Sequence, residues 1–309
     1  MVRFNRLAGA AWAITLALYA LPATAADPPL SLAPTDEWSV SRDGESCLVA
    51  REFGSERNGV TFALQAFSPE ATSYNAIVLG NALPNRDPGA LEFEVRFGPD
   101  TVALPLLGVL GGSRVPRLAF SATLEPADVL AARRNGEALP PALDAAREAA
   151  VNELELTFSR GRPLLLQLGS MVEPLRQLRE CTATLPERWG LDPAVQRTLS
   201  RAPVPIDIAS WLGPGSYPLA YLRNAMSVRV FVRLMIDETG AVSECVAQSP
   251  RGENVAGTVV CRELVKNARF EPALDAEGNP VPGYHTTLIF FNTPRSNGPP
   301  RGESRTQGL

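Results

Sequence analysis

The 309-residue sequence predicts an α+β protein with two domains, a β-rich N-terminal domain and a C-terminal ββαβ domain. Three observations support this prediction. Short strand-like runs alternate with Pro, Gly and Asn turns through the first half of the chain. A Pro-rich stretch with little periodicity occupies residues 191–214. Hydrophobic alternation then changes from a strand period to a helix period and back again between residues 215 and 293.

The first 25 residues are expected to be a signal peptide that is removed on export. Arg3 and Arg6 supply positive charge, residues 7–21 are apolar, and small residues precede a cleavage point near Ala26. A retained membrane anchor is the alternative, since about 20 apolar residues can span a bilayer as a helix. Here the apolar stretch ends after fifteen residues, so the sequence favours cleavage and a periplasmic location.

The β-rich domain is predicted to cover residues 36–190. It begins with a hairpin whose strands, 38–41 and 46–53, flank a turn at residues 42–45. Strand-like runs bounded by turn residues follow along the chain. These runs are Val60–Phe67, Asn75–Leu79, Leu91–Phe97, Arg117–Ala122 and Glu153–Phe158.

Helical signals occur late in this domain. Residues 125–134 end at an Asn-Gly pair, and residues 141–150 form a short Ala-rich segment. A stronger helix signal begins at Ser170, which has the spacing of a capping box with Glu173. This helix delivers Cys181 at its end and is expected to pack on the core through one apolar face. The residues of that face are Met171, Val172, Leu175 and Leu178.

The four cysteines are predicted to form two disulfides, because an even number in an exported chain is typical of structural bonds. Three pairings are possible in principle. Chain position favours Cys47 with Cys181 and Cys245 with Cys261, since each pair then stays inside one predicted domain. Metal binding is the alternative, but the chain lacks a C-x-x-C pair and His285 is its only histidine. No metal is therefore expected.

Two segments are predicted to lack regular structure. Residues 191–214 are expected to be a linker between the domains, because they are rich in proline. The prolines that mark it are Pro193, Pro203, Pro205 and Pro214. Residues 294–309 are rich in Pro, Gly, Arg and Ser, so this tail is expected to be disordered.

The C-terminal domain opens with the clearest strand pattern in the chain. Even positions of Val228–Ile236 are all aliphatic and odd positions carry two arginines among apolar residues, which predicts one buried face. A turn at residues 237–240 leads to a partner strand at 241–249. A helix is predicted for 254–268 and a final strand for 284–291. The apolar face of the helix is formed by Val260, Leu264 and Ala268.

Four sequence pieces carry a resemblance to a known family. They are Tyr217-Pro218, Ile236–Val242, Ala268–Ala273 and Gly278–Val281. In this order, and on a ββαβ pattern, residues 217–291 are similar to the TonB C-terminal domain family. The sequence departs from the family pattern at Val228, where a Gly is common. It departs again at residues 249–252, where a Ser-Gly pair is usual.

The N-terminal domain carries a separate resemblance. Residues 46–54 at its start and residues 180–190 at its end are similar to an uncharacterised exported bacterial domain, which often precedes a TonB-like module. That resemblance implies no function.

The TonB-like resemblance implies a protein-binding module at the cell envelope. Family members pair an extended segment of an envelope or outer-membrane protein against a sheet edge. By this resemblance the final strand is the partner-binding edge, with His285, Thr287, Ile289 and Phe291 on one face. A TonB-type energy transducer for outer-membrane receptor transport is the alternative, and it requires a retained anchor and a long Pro-rich spacer.

Composition and motifs argue against several other functions. A formal net charge of −4 predicts no basic surface for nucleic acid. Residues 108–112 lack the glycine spacing of a dinucleotide fingerprint and the Lys of a phosphate loop, so no small-molecule cofactor is expected. No nucleophile pattern surrounds His285, and the protein is not expected to be an enzyme. A periplasmic carboxylate-based hydrolase stays open as an alternative, because scattered Asp and Glu residues can converge in space.

Overall fold

In the computed structural model the protein is a mixed α and β chain, mostly β, with a large curled sheet. The structure describes residues 28–43, 45–69, 71, 73–84, 89–99, 103–111, 114–124, 145–217, 219–223, 227–248, 255–292 and 303–308. The predicted signal peptide, the predicted helix at 125–134 and most of the predicted disordered tail lie outside these residues.

Ten short strands form the large sheet. They are β1 (Leu30–Leu32), β2 (Ser39–Asp43), β3 (Ser46–Phe53), β4 (Val60–Ala66), β5 (Ser73–Gly80), β6 (Gly89–Phe97), β7 (Leu104–Gly111), β8 (Arg117–Thr123), β9 (Leu154–Phe158) and β10 (Leu164–Leu166). Their spatial order is β1-β10-β9-β6-β7-β8-β5-β4-β3-β2, and all neighbours are antiparallel except β1 and β10. The predicted hairpin and strand runs coincide with strands of this sheet, whereas β1, β7 and β10 are additional.

The large sheet curls until its first strand approaches its third. Just beyond β1, Pro34 forms an isolated bridge with Phe53 of β3. Beside it, the Gly54 N–H donates to the Ala33 carbonyl at 2.9 Å. The curl encloses an apolar core, because alternate residues of each strand point to the same face. Fully buried members include Val49, Phe62, Leu64, Val78, Leu118, Phe120 and Leu156.

Among the described residues, three helices accompany this sheet: α1 (Ala145–Ala150), α2 (Val172–Thr182) and α3 (Leu185–Arg188). Helix α2 packs against β2 and β3 and buries Met171, Leu175 and Leu178, three of the four residues predicted for its apolar face. The Cys47–Cys181 disulfide joins β3 to α2, so this predicted pairing is confirmed. The last helix of the region is thereby tied to the first hairpin.

The capping box predicted for α2 does not form. The helix begins at Val172, after Met171, and no side chain caps it. Glu173 instead accepts hydrogen bonds from Arg176 and Gln177 at 2.6–2.8 Å. A guanidinium three residues along the helix is a charged donor, and it competes for the carboxylate with the backbone N–H groups at the helix start.

The rest of the chain forms a smaller unit. Its elements are α4 (Pro193–Arg197), β11 (Val204–Ile206), α5 (Leu219–Arg223), β12 (Val228–Ile236), β13 (Val242–Ala247), α6 (Val255–Asn267), β14 (Arg269–Glu271), β15 (Ala273–Leu274), β16 (Pro280–Val281), β17 (Gly283–Asn292) and β18 (Glu303–Gly308). A four-stranded small sheet has the order β13-β12-β17-β18. Residues 303–308, predicted to belong to a disordered tail, thus form a strand.

The segment 191–214 is ordered, in contrast to the linker predicted there. Strand β11 pairs with β14, and the Ser200 N–H donates to the Leu274 carbonyl at 2.9 Å. Trp211 is fully buried in the core of the smaller unit. The linker prediction rests on the proline content, but these prolines occupy positions where proline is compatible with regular structure. Pro193 lies at the first turn of a helix, and Pro205 lies in a short two-stranded pair.

Helix α6 covers one face of the small sheet. Its residues Val260 and Leu264, and Ala268 just after it, are fully buried, as predicted. They pack with the even-numbered residues of β12 in a core that is separate from the core of the large sheet. The Cys245–Cys261 disulfide joins β13 to α6, which confirms the second predicted pairing.

The turn between β12 and β13 is fixed by one aspartate and one glycine. Asp237 accepts hydrogen bonds from the Thr239 hydroxyl at 2.6 Å and from the Ala241 N–H at 3.0 Å. These donors, the Thr239 hydroxyl first, hold the pKa of Asp237 below its ordinary value. Gly240 has φ +83°, and a Cβ there would lie 1.9 Å from the Phe270 carbonyl oxygen. The turn therefore requires glycine for both backbone conformation and space.

Candidate functional site

Strand β17, the predicted partner-binding edge, is paired on both sides. Strand β12 pairs with residues 283–291 in an antiparallel register without a bulge. On the side of β17 away from β12, called here the outer edge of β17, β18 pairs with residues 287–292. The edge position predicted for β17 is therefore taken by a segment of the chain's own tail. Hydrophobic alternation could not predict this strand, because residues 303–308 include no apolar side chain.

Three of the four predicted site residues, Thr287, Ile289 and Phe291, are fully buried. Ile289 and Phe291 belong to the core beneath α6. Phe291 packs edge-on against Tyr217, with ring centroids 4.9 Å apart. These side chains fill the core, so it is their backbone, not their side chains, that lies at the outer edge of β17.

The fourth predicted site residue, His285, lies next to two aromatic rings. Its ring centroid is 5.2 Å from that of Phe270 and 6.2 Å from that of Trp211. Trp211 in turn donates its indole N–H to the Ile206 carbonyl at 3.0 Å. Burial lowers the pKa of His285 to about 4, so the imidazole is neutral near pH 7. The residue acts as a packing ring and lies outside the stretch of β17 that pairs with β18.

The opposite face of the small sheet packs on the large sheet. Phe231 of β12 stacks on Phe67, with ring centroids 4.2 Å apart, and Leu288 completes this buried cluster. Nearby, Tyr284 meets Trp189 edge-on at 4.9 Å. Both faces of the small sheet are therefore covered, one by α6 and the other by the large sheet. An added ligand would have to use an edge of this sheet and not a face.

The two arginines at odd positions of β12 are part of this covered face. Arg229 donates to the Asn75 side-chain oxygen and to the Ser121 hydroxyl, both at 2.8 Å. Burial lowers the pKa of Arg229 to about 9, and the charge of Arg117 acts in the same direction. The sequence pattern predicts burial for the even-numbered face of β12 and places the two arginines on the opposite face. In the structure that opposite face is also covered, and it joins the two sheets.

Arg233 is 3% exposed and has carboxylate partners. It pairs with Glu45 of the β2–β3 turn at 3.1 Å and with Glu244 of β13 at 3.4 Å. Its guanidinium also lies over the Trp189 ring, 5.0 Å from the centroid. These contacts fix the register of the small sheet on the N-terminal region.

Strand β13 is the other edge of the small sheet, since among the described residues it pairs only with β12. Its register with β12 shifts between Met235 and Ile236. Ser243 and Glu244 are exposed on it. A bulge and an exposed charge are features that protect a strand edge from further pairing. The outer edge of β17 thus accepts a further strand in the structure, whereas the edge of β13 carries features that disfavour further pairing.

Several carboxylates of the N-terminal region are held in ion pairs. Glu148 is 2% exposed and pairs with Arg179. Arg96 pairs with Glu155 and, at 3.2 Å, with Glu153. Within the described ranges, no group of three or more His, Cys, Asp or Glu residues is arranged to hold a metal ion. These carboxylates bind arginines of the fold, which is a structural role.

No protein-family model matches the chain, and no curated protein and no solved structure matches it either. Among the helices of the described residues, none combines the length and the apolar character needed to cross a membrane. The two disulfides are compatible with a location outside the cytoplasm.

Proposed function

We propose that this is an exported periplasmic protein whose TonB-like C-terminal region binds an extended segment of another cell-envelope protein, by strand addition to the outer edge of β17. The observation that best supports this proposal is the pairing of β18 with that edge. Six residues of the tail join the sheet although none is apolar. The pairing therefore relies on backbone groups, which any extended segment carries.

The geometry of β17 also supports strand addition at its outer edge. Its register with β12 is unbroken over residues 283–291, so the backbone groups of alternate residues point to the outer edge in a regular antiparallel pattern. The edge of β13, by contrast, has a register shift and an exposed Glu244. An extended partner should therefore choose the outer edge of β17 over β13.

The sheet behind this edge is packed on both faces. Helix α6 and the large sheet cover its two faces, and the Cys245–Cys261 disulfide joins α6 to β13. A preformed sheet lowers the entropy lost when a partner strand binds. The N-terminal region contributes to this function by supporting the sheet through Phe67 and Glu45.

Export is tested by mass spectrometry of the mature protein from envelope fractions. We expect a chain that begins near Ala26, with both disulfides formed. A chain that keeps Met1 and stays in the membrane would support the energy transducer instead.

Strand addition is tested by photo-crosslinking in intact cells. A photoreactive phenylalanine analogue at Phe290, within the paired stretch of β17, should give a discrete adduct with an envelope protein. The matched control carries the same analogue at Glu244 on β13 and should give no such adduct. Equal adducts at both positions, or none at Phe290, would contradict the proposal.

A further inference from the structure

We infer that residues Glu303–Gly308 compete with the partner for the outer edge of β17, and that the partner is an antiparallel strand with apolar residues opposite Phe291 and Ile289. This inference rests on the proposed function. It adds the chemistry of the partner and the means by which the free protein protects its edge.

The register of β18 identifies which partner positions matter. Ser304 pairs with Phe291, Thr306 with Ile289 and Gly308 with Thr287. Directly paired residues lie on the same face of a sheet. Positions 304, 306 and 308 therefore belong to the face that α6 covers, where Phe291, Ile289 and Thr287 are fully buried.

Small or polar residues occupy these three positions in the tail, although two of the three paired residues of β17, Phe291 and Ile289, are apolar. Phe291 already packs against Tyr217, which is 5% exposed. The 3-10 turn Pro214–Ser216 contacts both α6 and β18. A strand added at the outer edge of β17 therefore lies next to this turn. A Val or Leu opposite Phe291 or Ile289 would bury apolar area that Ser and Thr do not supply.

The tail competes because it belongs to the same chain as the edge that it pairs with. A segment linked to its own binding site reaches an effective concentration in the millimolar range when the connection is short. Backbone pairing by a polar strand can therefore fill the edge in the free protein. A partner with apolar side chains at the two key positions gains more from the same edge and displaces it.

The experiment compares three chains and three peptides by fluorescence anisotropy. The chains are the full mature protein, a chain that ends at residue 299 and a full chain with Thr306→Pro. The peptides are residues 300–309, the same peptide with Ser304→Val and Thr306→Val, and a control peptide with Arg305→Val and Gln307→Val on the other face.

We expect the shortened chain to bind the 304/306 valine peptide on the order of tenfold more tightly than the native or control peptide. We also expect the full chain to bind that peptide about three- to fivefold more weakly than the shortened chain does, because the tail fills the edge most of the time yet adds little net stability. The full chain with Thr306→Pro keeps the tail but disfavours β18, because proline fixes φ at about −65° and an antiparallel strand needs about −140°; it should behave like the shortened chain.

Each contrary outcome overturns a different statement. If no peptide binds the shortened chain or the Thr306→Pro chain, strand addition at β17 fails, and the proposed function fails with it. If the valine peptide binds all chains equally, the competitor role of the tail fails while strand addition stands. If the control peptide binds as tightly as the 304/306 valine peptide, the assignment of the apolar positions fails.

Discussion

The edge strands of the two sheets are protected from further pairing in different ways. The large sheet curls until Pro34 meets Phe53, which brings its two ends together. The small sheet stays open, and β18 from the end of the chain fills the outer edge of β17. Strand edges are liable to unwanted pairing unless they are closed, covered or charged. Curvature protects the large sheet, whereas a separate polar segment of the same chain protects the small one.

The two sheets also differ in what fills their faces and how they are cross-linked. The large sheet encloses its own core, but the small sheet lies between α6 and the large sheet. The disulfide of the large sheet spans 134 residues and that of the small unit spans 16. The N-terminal region is thus held together over a long chain separation, and the smaller unit depends on it for one covered face.

The largest expected effect is loss of the long-range disulfide. The double change Cys47→Ala and Cys181→Ala should lower the free energy of unfolding by about 5 kcal/mol, because the cross-link removes more chain entropy from the unfolded state for a longer loop. The matched change Cys245→Ala and Cys261→Ala should cost roughly 3 kcal/mol. Urea unfolding of both variants measures the difference. Equal losses would mean that loop length does not set the two contributions.

The contact between the sheets is tested by Phe231→Ala. Phe231 is 7% exposed and stacks on Phe67, so truncation should cost about 3 kcal/mol. Phe290→Ala is the control, because Phe290 is only partly buried on the neighbouring strand and should cost less. Chemical unfolding with two spectroscopic probes gives both values. A loss below about 1 kcal/mol for Phe231→Ala would contradict the contact.

A somewhat smaller effect concerns pH. Folding lowers the pKa of His285 from 6.5 to about 4, so between these values the unfolded chain binds a proton that the folded chain does not. Stability contributed by this group is therefore full above pH 6.5 and is lost as pH falls toward 4. The loss should be on the order of 2–3 kcal/mol.

The matched variant for this prediction is His285→Phe, which keeps a ring beside Phe270 and Trp211. The difference in unfolding free energy between pH 7 and pH 4 should be smaller in the variant than in the unchanged chain. Acid titration of aspartates such as Asp237, whose pKa is also lowered, affects both chains and cancels in the comparison. Identical pH profiles would show that His285 titrates normally in the folded state.

Elements with strong periodicity could be predicted from the sequence. Strand β12 has the predicted bounds, and the apolar face of α6 is buried as expected, because alternation and helical spacing directly encode burial. The disulfide pairing could be predicted because position along the chain separates the two units. These parts of the fold depend on local pattern.

The rest depends on contacts between distant segments. The sequence around Arg229 could not predict its hydrogen bonds to Asn75 and Ser121, because both residues lie more than a hundred positions away along the chain. The strand β18 carries no hydrophobic pattern, so only its pairing with β17 identifies it. For the candidate site, strand β17 itself could be predicted from the sequence, but its pairing with β12 on one side and β18 on the other could not. Side chains proposed to contact a partner, such as Ile289, are instead core residues.

The smallest expected effect is loss of β18, and it separates the small sheet most clearly from the large one. Backbone hydrogen bonds contribute about 1 kcal/mol each, while ordering each residue costs about 1–2 kcal/mol. A strand without apolar residues therefore contributes little net stability, and ending the chain at residue 299 should lower the free energy of unfolding by less than about 1 kcal/mol. Hydrogen exchange should show the same difference, with amides of residues 303–308 exchanging through local opening and amides of β12 only through global unfolding. Protection of residues 303–308 equal to that of β12 would make the tail a permanent strand and not an exchangeable one.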